Sequence, residues 1–75
     1  LIVNWQQCVL DLRRFFPVRK ISALTGIDKQ TLGRLSRAEM AEPKFSQGVA
    51  LLDLHTDNCG AAMTRRLKGD KWDAR

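Results

Sequence analysis

Lys29, Gln30, Gly33 and Arg34 fall on the side of a short amphipathic segment opposite Leu32 and Leu35. Their types suit one kind of chemistry. A glutamine amide pairs with adenine through two hydrogen bonds, and lysine or arginine donates to guanine O6 or N7. Gly33 admits two readings: close approach to a groove floor, or an unoptimised position, since glycine inside a helix costs about 1 kcal/mol relative to alanine. Thr31 is either a contact to a thymine methyl or a phosphate, or a partly buried helix residue. Arg19, Lys20 and Arg37, with Arg13 or Arg14, are of the type that neutralises phosphates and fixes a docking pose.

Charge is distributed to match. The 75 residues hold 13 Lys and Arg against eight Asp and Glu, for a net +5. Residues 13–37 carry seven of the basic side chains and only Asp28 as an acid. Residues 38–59 are net acidic, through Glu39, Glu42, Asp53 and Asp57 against Lys44, and residues 60–75 are net basic again. Such a molecule has one face suited to a polyanion.

The length allows one domain, and a chain this short has little room for a substrate pocket with a supporting shell. That favours a binding module over an enzyme. No catalytic site is expected. His55, the single histidine, reads as a surface residue or helix-end contact, with no nucleophile–base pair, paired carboxylates or phosphate loop around it. Cys8 and Cys59 form no CxxC pair and cannot complete a zinc set with one histidine, so no metal or other cofactor is expected. Both are expected as free thiols of an intracellular protein, Cys8 as a small core hydrophobe. No apolar run approaches 18 residues, so no membrane span is expected, and Leu1 to Val3 is too short for a signal peptide. Without an initiator Met, the sequence reads as part of a longer chain.

The elements that position these residues follow from apolar spacing. Trp5, Cys8, Val9, Leu12 and Phe15 or Phe16 lie on one face of a first helix from Asn4, its N-cap, to about Phe15, with Asp11 largely off that face. Pro17 stops this helix and opens the second, with Val18, Ile21, Leu24 and Thr25 inward and Gly26 at its end. Asp28 caps a third helix, which buries Leu32 and Leu35. A fourth runs from Ser46, as N-cap, to about Asp57, with Val49, Leu52 and Ala50 or Leu51 inward. Leu51 and Leu54 widen its apolar arc beyond what a monomer needs. Ala61 to Lys68 forms a short fifth helix ending at Gly69, or a mobile tail with Asp70 to Arg75 and an exposed Trp72. The expected fold is all-α with four to five short helices: a helix-turn-helix domain over residues 1–60 and a basic tail over 61–75.

A helix-turn-helix makes four demands, and Val18 to Leu35 meets all of them. A small residue, Ser22, lets the second helix cross the first closely. Gly26 accepts positive φ in the turn. Ile27 pins the turn to the core. Leu32 and Leu35 seat the second helix.

The run Ile21-Ser-Ala-Leu-Thr-Gly-Ile-Asp-Lys-Gln-Thr-Leu-Gly-Arg-Leu-Ser-Arg37 resembles the helix-turn-helix of the Cro and phage-repressor (Xre-like) family. Arg37-Ala-Glu39, Pro43 and the amphipathic segment after it are similar to that family's continuation, so the resemblance covers roughly residues 4–58. It departs in three places. Pro17-Val18 stands where the family often has Thr-Gln, whose Gln touches a phosphate, which leaves that contact to Arg19 or Lys20. Ala38 replaces the usual glycine, so the third helix is expected to run on a residue or two. Residues after 60 match nothing in the family.

The resemblance implies a cytoplasmic, nucleoid-associated transcriptional regulator of phage, prophage or bacterial type. It would read a palindromic operator in duplex DNA as a homodimer, with helix 28–37 in the major groove. Lys29, Gln30, Gly33 and Arg34 would read bases, and Arg19, Lys20, Thr31 and Arg37 would hold phosphates. Leu51 and Leu54 are the expected dimer interface. The rival expectations are a protein-interaction module and an antitoxin subunit whose tail engages a protein partner.

Overall fold

The computed structural model describes residues 3–40 and 42–72, with side chains as far as Leu67. Every regular element among them is a helix: α1 (Trp5–Leu12), α2 (Val18–Thr25), α3 (Lys29–Ser36), α4 (Phe45–Cys59) and α5 (Ala61–Trp72). The core gathers Cys8, Val9 and Leu12 of α1, Ile21 of α2, Ile27 of the turn, Leu32 and Leu35 of α3, Leu51 of α4 and Leu67 of α5. Burying each of the larger of these side chains is worth about 1.5–3 kcal/mol. The first helix is the hub, packing on α3, α4 and α5.

Asn4 caps α1 as its sequence position implies, its side chain accepting from the Gln7 N–H at 3.0 Å. The helix stops at Leu12, short of Phe15, because residues 13–16 turn toward Pro17 and the Phe15 and Phe16 amides both close onto the Leu12 carbonyl. Phe16 is the ring that packs on the core, while Phe15 is exposed. Pro17 takes the N-cap of α2 in extended geometry, one place before the helix. Inside α2, Val18, Ile21 and Thr25 turn toward the core and Leu24 stays half exposed, because spacings of three and seven hold one face while position 24 lies on its flank.

In α4 the expected phase is displaced. Gly48, Leu51 and His55 face inward, whereas Val49 is exposed and Leu52 and Leu54 are half-buried. The cause is a close approach by the first helix: a Cβ at Gly48 would lie 2.9 Å from the edge of the Trp5 indole, so only glycine fits. The cap is Lys44, not Ser46, because the Gln47 side chain reaches back to accept from the Lys44 N–H at 3.1 Å.

The helix α5 is part of the domain rather than a tail, and Gly69 does not end it. Leu67 enters the core, and its carbonyl accepts from the Asn4 N–H at 2.8 Å. The side chain of Trp72 and residues 73–75 lie outside the described residues.

Beneath α5 lies a polar cluster that the apolar spacing concealed. His55 is fully buried; its Nε2 contacts Asp11 Oδ2 at 2.9 Å and its Nδ1 contacts Thr64 Oγ1 at 2.7 Å. In the neutral ring, Nε2–H donates to the carboxylate and Nδ1 accepts from the threonine hydroxyl. The Thr56 hydroxyl donates to Thr64 at 3.1 Å. His55 is therefore a core residue rather than a surface one, and Asp11, 3% exposed, points inward with it. Asp11 stands three residues after Cys8, on the buried side of α1, which is the signal that would have placed it. The sequence hydroxyl–imidazole–carboxylate has the order of a nucleophilic relay, but it is withdrawn from solvent, with Thr64 3% exposed. The cluster joins α1, α4 and α5.

Candidate nucleic-acid interface

Gly26 makes the turn between α2 and α3. Its φ of 77° is left-handed, where L side chains are strained, and its N–H closes onto the Ser22 carbonyl at 2.9 Å. Thr25 braces the same corner. Its hydroxyl donates to the Ile21 carbonyl at 2.7 Å and accepts from the Ile27 N–H at 3.3 Å. Ile27 is completely buried, which fixes where α3 starts.

The Asp28 carboxylate then caps α3, accepting from both the backbone N–H and the hydroxyl of Thr31, at 3.1 and 2.7 Å. Those bonds, the hydroxyl's foremost, hold the Asp28 carboxyl below its ordinary value. Leu32 and Leu35 seat the helix. At its other end, Gln6 of α1 donates through Nε2 to the Ser36 carbonyl at 3.1 Å, satisfying a group the helix itself leaves open. Both ends of α3 are thus fastened while its outer face stays clear.

That outer face carries Lys29, Gln30 and Arg34, all exposed, with no side-chain hydrogen bond among the described residues. Arg19 and Lys20 are exposed on α2, and Arg13 and Arg14 on the turn before it. Leu24, half exposed, adds an apolar spot on α2.

Three of the expected contacts are modified by their neighbours. Thr31 is half-buried and its hydroxyl hydrogen is committed to Asp28. Gly33 is not open space, since a Cβ there would lie 3.2 Å from Arg37 Nη1. The guanidinium of Arg37 folds back along the helix and is held by Glu39, with Nε to Oε2 at 2.9 Å and Nη2 to Oε1 at 3.3 Å. The pairing raises the Arg37 pKa and lowers that of Glu39. Ala38 lets this happen. Its φ is 58°, so it occupies the left-handed position of the missing glycine, and the helix ends at Ser36 instead of running on.

The expected interface pair fails on burial. Leu51 is 0% exposed and belongs to the core, so it offers nothing to a second chain, whereas Leu54 is half-buried and packs partly against that core. The exposed apolar face of α4 lies elsewhere, at Phe45 and Val49. Sequence spacing missed it because it places Val49 inward and starts the helix only after Ser46, which leaves Phe45 outside it.

No family model, curated protein or solved structure matches this chain. Among the described residues, no group of His, Cys, Asp or Glu is placed to hold a metal ion, and no helix is long and apolar enough to cross a membrane.

Proposed function

We propose that this protein binds duplex DNA through α2 and α3, with α3 lying in the major groove, and acts as a transcriptional regulator on a two-fold symmetric site. The observation that carries the reading is the fastening of α3. It is held at the turn by Gly26 and Ile27 and at the far end by Gln6, yet it offers Lys29, Gln30 and Arg34 to solvent. A helix restrained at both ends with an unoccupied polar and basic face is what base readout requires. Arg19 and Lys20 flank it as phosphate contacts, and net charge favours the approach. Lys29 and Gln30, at the start of α3, are the base readers together with Arg34. Arg37 is a latent phosphate contact, since Glu39 holds it in the free protein.

Electrophoretic retardation of random duplex at rising salt is the test. Binding that weakens steeply with salt supports the reading. Absence of any retardation at low salt removes it and leaves the protein-interaction alternative.

A further inference from the structure

One apolar surface is left uncovered, and it has a charged extension. Phe45, Val49, Asp53 and Asp57 follow one another at spacings of four along α4, about one helical turn apart, and so form a single row. All four are exposed, Phe45 at 88% and Val49 at 42%. The first half of the row is apolar and the second half acidic. The helix holds no lysine or arginine, and neither aspartate forms an ion pair among the described residues.

Beside the apolar half opens a groove of about 430 Å³, walled by Trp5, Pro43, Gly48 and Leu52 together with Phe45 and Val49. Glu42 and Lys44, also on its rim, offset each other, so Asp53 sets the sign of the rim. None of these walls belongs to α2 or α3, which leaves α3 free when the groove is filled. Charge selects the occupant. A nucleic acid or an anionic membrane surface brings negative charge to two aspartates. A second copy fares no better. About the middle of the row, an antiparallel α4 sets Phe45 against Asp57 and Val49 against Asp53, and a parallel one sets acid beside acid. The match is a segment that is apolar over two turns and basic over the next two.

We propose that this face docks a helical segment of another protein. Two apolar side chains of that segment enter the groove beside Phe45 and Val49, and two lysines or arginines, one and two turns further along, meet Asp53 and Asp57. In helix-in-groove recognition, apolar anchors at one-turn spacing supply affinity, and the charges fix direction and register. An exposed apolar patch with a polar edge is the surface such a partner covers. The docking goes beyond the DNA-binding reading and does not depend on it.

Fluorescence anisotropy of a labelled synthetic helix, titrated with the full chain, reads the proposal. One face of the probe presents Leu, Leu, Lys and Lys at one-turn spacing, with alanine and glutamine elsewhere, and it is made in both chain directions. One direction is expected to bind at micromolar concentration. The same helix with Glu for Lys, or with Ser for Leu, is expected to bind at least about tenfold more weakly. Phe45→Ser is expected to weaken binding of the Leu–Lys helix about tenfold, with an unchanged helical circular dichroism spectrum. Charge exchange gives the sharper test. The Asp53→Lys, Asp57→Lys double variant is expected to lose the Leu–Lys helix and to gain the Leu–Glu one. Lysine suits the C-terminal end of a helix, so loss of binding in that variant is not loss of the fold.

Equal binding of the Lys and Glu helices, or binding of neither, overturns the proposal. Wild-type affinity in Phe45→Ser, or a double variant that keeps its preference, overturns it as well. So does a wild-type dimer in sedimentation that Phe45→Ser dissolves, which gives the groove to a second copy. Retardation of duplex by the same chains separates the two readings. A chain that binds the Leu–Lys helix but retards no DNA upholds the docking and removes the DNA-binding function. One that retards DNA but binds no helix does the reverse.

Discussion

His55 Nε2 lies 2.9 Å from Asp11 Oδ2, with both residues withdrawn from solvent, so a carboxylate on α1 holds the ring that anchors α4. Gln7 donates a second bond to the same carboxylate, to Oδ1 at 2.7 Å. Burial pushes the Asp11 carboxyl up, but the bonds from His55 and Gln7, with the charge of Arg14, bring it below its ordinary value. A carboxyl with a depressed folded pKa stabilises the fold fully above the unfolded value, about pH 4, and that contribution is lost as pH falls through the folded pKa. Asp11→Ala leaves the imidazole without its acceptor and is expected to destabilise the fold by about 3 kcal/mol at neutral pH in urea unfolding. Asp11→Asn keeps an acceptor and costs less, and its stability should fall less steeply below pH 4 than that of the wild type. An Asn variant with an unaltered acid limb would show that Asp11 is not the linked group.

Ala38 occupies a left-handed conformation at φ 58° without the freedom of glycine. Ala38→Gly relieves that strain while loosening the unfolded chain. The balance is expected to stabilise the protein by about 0.5–1 kcal/mol, read as a higher denaturant midpoint at unchanged slope. A lower midpoint contradicts the assignment.

Gly33 is the mirror case. Gly33→Ala improves helix propensity, and the 3.2 Å contact is with the tip of an exposed arginine that can move, so the fold should gain up to about 1 kcal/mol. The added methyl stands beside the face proposed to read DNA, and on that reading operator affinity should fall although the protein is more stable. Thermal unfolding and binding measured on the same sample check the two signs together.

Arg34 and Glu39 separate base readout from phosphate contact. Arg34→Ala should reduce binding to a selected site by about 1–3 kcal/mol while leaving random duplex little affected. Equal losses would make Arg34 a phosphate contact. Glu39→Gln releases Arg37 and removes a negative charge from the interface. Affinity for all duplexes should rise and its salt dependence should steepen.

The thiols should differ in reactivity. Burial, with the Asp11 charge next, pushes the Cys8 pKa up to about 12, and the thiol is completely inaccessible. Cys59 is raised in the same direction by burial but remains half accessible. A disulfide reagent at neutral pH should label Cys59 in the native protein and Cys8 only at the rate of unfolding. Early labelling of Cys8 would reveal a local opening of α1 from α4.

The helix-turn-helix was legible because its signals are local. Asp28 reaches Thr31, Thr25 reaches Ile21 and Ile27, and Gly26 needs only its own backbone angles, all within four residues of chain. The phase of α4 was not. Val49, Ala50, Leu51 and Leu52 are consecutive and apolar, so several rotations of the helix bury a comparable surface. The choice among them is made by Trp5 against Gly48 and by Asp11 and Thr64 around His55, contacts that span 43, 44 and nine residues. The same ambiguity misassigned Leu51 to an interface and hid Phe45. The end of α3 was misread because glycine is not the only residue that can occupy a left-handed position when a tertiary fit demands it.

The bond from Asn4 to the Leu67 carbonyl joins the residue before α1 to α5. During synthesis, α2 and α3 are complete well before α5 exists, and until then Asn4 and His55 lack the partners that Leu67 and Thr64 give. A product stopped before α5 is expected to remain unfolded and to be cleared. By closing on α5, the described fold makes the settled positions of α1 and α4 depend on a segment synthesised after both.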